Sequence, residues 1–196
     1  GADVVPTWVL ALSALTLWGP YVGALLWVSK RNGSGSFVQD FAIRFQVKDL
    51  WGIPLGLASQ LLLVVLVTLP FQLMFPSLFN KEAVEKRAND LFDAAQGGWI
   101  VLLFVIVVIC APLVEEIVYR GFIQHNLAVA YGARISLLLA SFWFAAVHLQ
   151  LAEFPGLFAF ALVLGVCFSR TKRLGLSIVT HVSFNATALT VMALTR

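Results

Sequence analysis

Charge is what this sequence has least of. Its 13 Lys and Arg and 10 Asp and Glu make up 12% of 196 residues, whereas 60% are hydrophobic. Soluble domains carry about 25% charged residues, so there is too little polar surface here to cover a water-facing globule. The mean hydropathy of +0.91 agrees. Cysteine is scarce as well. Cys110 and Cys167 both lie inside apolar runs with no metal-type partner at close spacing, which excludes a disulfide framework and reads as two small core side chains. No positively charged segment precedes the first apolar stretch, so no cleavable signal peptide is expected. The net charge of +3 comes from basic residues between apolar runs. That placement reads as membrane topology and excludes a nucleic-acid patch.

What the sequence does have is long hydrophobic runs. Hydrocarbon about 30 Å thick needs about 20 apolar residues in a helix, and lipid tolerates only helices or closed barrels. The runs are continuous rather than alternating, so the expected fold is all-α, a polytopic transmembrane bundle of about six spans. The runs cover about 7–29, 51–74, 98–127, 134–150, 155–169 and 174–195. Kinks are expected at Gly19-Pro20 and Pro70. GSGS at 33–36 reads as a flexible loop. Between the second and third spans, residues 75–97 mix charges with Val84, Leu91 and Phe92 and predict an amphipathic helix on the membrane surface. The expected division is 1–97, N-terminal helices with this connector, and 98–196, a catalytic helical core within one membrane domain. With both termini outside, Lys30, Arg31, Arg44, Lys48, Arg134, Arg170, Lys172 and Arg173 fall inside, against Lys81, Lys86, Arg87 and Arg196 outside. This excess favours that orientation and suits a prokaryotic plasma membrane.

Five ionisable residues interrupt the apolar runs: Glu115, Glu116, Arg120, His148 and His181. A charged form at a helix centre costs at least ~2.5–3.5 kcal/mol, which makes such residues functional candidates. Glu116 and Arg120 are spaced i, i+4 with the acid first, the favourable order for an ion pair within a helix. Glu115 points about 100° away and faces other helices. Phe144 and His148 are one turn apart, as are His181 and Asn185. Three helices can thus present a carboxylate, an imidazole and a His/Asn pair to one point. A carboxylate with an imidazole can hold and deprotonate water, and a second imidazole with an amide can donate to an oxyanion. Amide hydrolysis needs that combination. His125 lies near a turn beyond this face and is read as structural. Serine-type Gly-x-Ser-Gly and aspartyl-type Gly-x-Gly-Asp intramembrane motifs are absent, and so is His-Glu-x-x-His.

The ordered motifs EExxxR (Glu115, Glu116, Arg120), FxxxH (Phe144, His148) and HxxxN (His181, Asn185) resemble those of the CAAX protease and bacteriocin-processing family, also called the Abi family. The resemblance covers about residues 98–195. It implies a glutamate-type intramembrane endopeptidase related to the CAAX prenyl protease. Glu115 and His148 would activate water, His181 and Asn185 would stabilise the oxyanion, and Glu116 with Arg120 would hold the architecture. Its partners would be a peptide or protein substrate, of a prenylated or membrane-anchored kind, and the lipid bilayer. No cofactor is expected on this reading. Two others stand beside it: a zinc metalloprotease with Glu115, His148 and His181 as ligands, and a non-catalytic scaffold or immunity-type protein that binds a peptide in the same cavity.

Overall fold

A computed structural model describes residues 7–80, 89–93, 95 and 98–195. No strand occurs among them. The apolar runs become helices α1 (Thr7–Asn32), the short α2 (Phe37–Asp40), α3 (Val47–Met74), α4 (Trp99–Ala146), α5 (Phe154–Thr171) and α6 (Gly175–Leu194). All but α2 are long and apolar enough to cross a bilayer. The chain is an integral membrane protein built as a polytopic helical bundle. Helices α1 and α3 run on through Pro20 and Pro70. Of the predicted surface helix at 75–97, residues 81–88, 94, 96 and 97 lie outside the described residues; 75–80 form turns rather than helix, 89–93 are helical, and Phe92 is buried with Leu103 and Leu189.

The third and fourth predicted runs form one 48-residue element, α4. Straight, it would extend about 72 Å, more than twice the hydrocarbon thickness. It reverses at Gly132, whose φ of 80° and ψ of 167° lie outside helical space. Glycine adopts a positive φ without a Cβ clash. The two limbs pack against each other in register about this residue. Arg120 and Phe144, each twelve residues from Gly132, are in contact, with the guanidinium 4.7 Å from the ring centroid. Tyr119 meets the same ring edge-on at 5.2 Å. Equal arms therefore return His148 to the level of Glu116, although His148 closes a much shorter run.

Helices α3 and α6 make the closest approach. A Cβ on Gly52 or Gly56 would run into the α6 backbone at Thr180, and one on Gly56 would also meet Ser183. This Gly-x-x-x-Gly face lets two backbones pack without side chains between them, the usual device where lipid gives no hydrophobic drive to association. Gly56→Leu should force α3 away from α6 and lower the melting temperature in detergent by at least 5 °C, on the scale of about 1 kcal/mol per several degrees; an unchanged melt would show that the contact does not hold the bundle.

At the end of the bundle that carries Arg44, Lys48, Lys172 and Arg173, the 42–49 segment docks on the α5–α6 turn. Leu174 N–H donates to Ala42 O at 2.9 Å and Gly175 N–H to Arg44 O at 3.2 Å. Asp49, 1% exposed, pairs with Arg173 at 2.7 Å and accepts the Gln46 N–H at 2.7 Å. Arg173, expected only to mark the inner side, thus also holds this contact. Asp49→Ala leaves the guanidinium without its buried partner and should cost about 3 kcal/mol, read as a lower melting temperature. The Gly33–Ser36 segment, expected to be a free loop, is wrapped on Asp40, which accepts from the Ser29 and Ser34 hydroxyls. The Ser29 bond above all holds the Asp40 carboxyl below the usual carboxylate range.

Candidate active site

The first limb of α4 carries most of the polar groups, and its local geometry is unusual. Two π-helical stretches, Val105–Cys110 and Ile117–Gln124, flank the α-helical turn Ala111–Glu116. Such widenings, which shift side chains around the axis, are frequent at functional sites.

Glu116 and Arg120 are almost wholly buried and paired at 2.9 Å, as their spacing predicts. A buried ion pair gains from hydrogen bonds to its remaining polar atoms; Arg120 and Glu116 Oε1 have them, whereas Glu116 Oε2 is buried without a partner among the described residues. Arg120 Nη2 donates to Ala161 O of α5 at 3.1 Å, and its guanidinium lies over Phe144, a cation–π contact. Glu116 Oε1 also meets His181 Nδ1 at 2.9 Å. A residue expected only to brace the architecture therefore also orients an imidazole. One turn beyond Arg120, Gln124 donates to Gly165 O at 3.0 Å and to Ser169 Oγ at 2.9 Å. Gln124 escaped the sequence reading although its signal was present: positions 116, 120 and 124 continue one i, i+4 line.

The paired Glu116 carboxylate only accepts, so His181 Nδ1 carries the proton it donates. Its Nε2 then faces Glu115, with Oε2 at 3.8 Å. Phe144 and Phe160 hold the ring edge-on, with centroids at 5.8 and 5.4 Å. His148 departs from expectation in one respect. It lies in a turn just past the end of α4, not on the helix, because Leu149 takes a left-handed φ of 54°. Its Nδ1 still reaches back to Phe144 O at 2.7 Å. A carbonyl only accepts, so Nδ1 bears a proton, and in the neutral imidazole Nε2 is then the acceptor. Asn185 donates through Nδ2 to Val107 O at 2.7 Å, a carbonyl within the first π stretch. This leaves it one amide hydrogen for any other acceptor. His125 is exposed.

Glu115, His148, His181 and Asn185 all line one cavity of about 410 Å³, with Phe144 and Phe160 in its wall. A smaller space of about 250 Å³ opens from Glu115 and His148 towards Trp18 and Tyr21 of α1, with Tyr119 beside it. The motifs on three separate runs thus converge. Among the described residues no group of three or more His, Cys, Asp and Glu side chains that could hold a metal ion is found. The Nδ1 of His181 is turned to Glu116.

Residues 97–187 match the family model described as Type II CAAX prenyl endopeptidase Rce1-like. No curated protein and no solved structure matches the chain.

Proposed function

Through residues 97–187 this chain belongs to the Rce1-like CAAX prenyl endopeptidases, and from that premise we propose that it hydrolyses a peptide bond within the membrane by a Glu/His-activated water. The observation that carries the reading is the single cavity lined by Glu115, His148, His181 and Asn185. The water sits between the Glu115 carboxylate and His148 Nε2. Its oxygen attacks the scissile carbonyl carbon as its proton passes to Glu115. The carbonyl oxygen becomes an oxyanion that accepts from His181 Nε2–H and from the remaining Asn185 amide hydrogen. The proton then moves to the amide nitrogen, the C–N bond breaks, and an acid and an amine leave with Glu115 ionised again.

For His181 to donate through Nε2 it must be the imidazolium. That form makes a balanced set of two cations, Arg120 and His181, and two anions, Glu115 and Glu116. Neutrality of this kind offsets the cost of burying each charge alone. The substrate is a peptide or protein at the membrane, and a prenylated C-terminal segment is the first to try.

His148→Ala removes the lone pair opposite Glu115 and should lower kcat by about 10²–10⁴-fold on a prenylated CAAX peptide in detergent micelles. A variant within twofold of wild type would remove His148 from the reaction. The same purified protein should keep its activity after exhaustive chelation; loss reversed by added zinc would favour the metalloprotease reading.

A further inference from the structure

The catalytic cavity does not end at its own walls. A second cavity of about 460 Å³ opens between α3, α5 and α6. It shares Glu153, Leu157, Phe184, Ala188 and Leu189 with the first, so the two spaces adjoin. Its lining is unusual for a membrane cleft. Helix α3 is apolar along this stretch apart from a few positions, and Gln60, Thr68 and Gln72 all face the second cavity. They are spaced by eight and four residues, which puts them on one face.

Polar side chains in a span are costly against lipid and mark pathways or binding sites. An acyl or prenyl chain has no use for amides. An extended peptide does, because every residue brings one donor and one acceptor that must be satisfied away from water. A glutamine carboxamide supplies both. The Thr68 hydroxyl is committed as donor to Val64 O at 2.7 Å, which leaves its lone pairs to accept. Gln60 and Gln72 are separated by about 18 Å of helix, the length of about five residues of extended chain. Gln60 lies one turn past Gly56, which packs against Ser183 and Phe184, hence near the depth of His181 and Asn185. Gln72 lies towards the end of the bundle that carries Thr195.

We propose that the cleft between α3, α5 and α6 is a backbone-binding channel for the substrate. It takes an extended peptide segment on one side of the scissile bond, with Gln60 and Gln72 pairing with its amides, and leads that segment to Glu115. Gln60 and Gln72 are positioning residues. The inference rests on the endopeptidase reading, and its test separates the two.

The full chain is assayed on a prenylated CAAX peptide in micelles. The double variant Gln60→Leu, Gln72→Leu should raise KM about tenfold, as expected for two lost hydrogen bonds, with kcat within twofold and an unchanged melt. Val65→Trp, which fills the channel from the same helix and spares the amides, should raise KM in the same way. An unchanged or lowered KM in the leucine variant overturns the channel and makes the cleft a lipid site, while the endopeptidase reading stands. If the wild type cleaves nothing, that reading fails by itself, and the channel is read by photocrosslinking from Leu61→p-benzoylphenylalanine. A crosslink to the same peptide, weakened by the two leucines, supports it. No crosslink overturns it.

Discussion

Glu115→Gln should reduce cleavage by about 10²–10⁴-fold while the protein folds and melts as wild type. Glutamine keeps the size of the side chain and one acceptor oxygen, and removes the charge and the ability to take a proton. Glu115 is partly accessible in the cavity wall, at 23% exposure, and the substitution leaves the buried Glu116–Arg120 pair intact. It also leaves the His181 ring held by Glu116. Kinetics on a prenylated CAAX peptide, with a thermal melt as control, check the result. Activity near wild type would remove Glu115 as the base, and a lost fold would show that it belongs to the scaffold.

Arg120→Ala should have the opposite signature, with stability lost first. The guanidinium is 1% exposed and Glu116 0%, so truncation leaves a buried carboxylate facing His181 alone and abandons Ala161 O. Breaking a buried pair from one side costs about 3–5 kcal/mol, enough to consume much of a typical domain's stability. The double variant Glu116→Gln, Arg120→Met tests what the pair is for. It removes both charges, keeps an acceptor for His181 Nδ1, and should regain most of the melting temperature. Activity should stay low, because the Glu116 anion at Nδ1 is gone and a charged His181 then has only Glu115, itself the proton acceptor. A double variant that is both stable and active would reduce Glu116 and Arg120 to packing. A single Arg120→Ala variant that melts like wild type would show that the pair contributes little.

These two residues show how much of the site was legible. Glu116 and Arg120 could be paired from their spacing because both lie on one helix, where i, i+4 geometry is fixed by the backbone. The links from Glu116 to His181 and from Arg120 to Ala161 cross 65 and 41 residues of chain, and no spacing rule reaches that far. His148 was placed on a helix because its run continues apolar to the end. The left-handed Leu149 that ends the helix early carries no signal in a leucine side chain. The polar face of α3 was passed over because Gln60, Thr68 and Gln72 are uncharged and scattered in an apolar run. Only their shared cavity makes them a set.

The sequence by itself determined the membrane-spanning helices, the Glu116–Arg120 pair and the motifs of the CAAX protease family, since each depends on composition or on residues within one helical turn. Tertiary structure decided how far apart those motifs lie in space. Gly132 is the clearest case: a glycine is permitted a positive φ but not compelled to it, and only packing of one α4 limb on the other turns that permission into a hairpin in which Glu116 and His148 lie equally far from the turn. That hairpin brings His148 level with Glu115, and α6, held close by Gly52 and Gly56 of α3, brings His181 to the same depth.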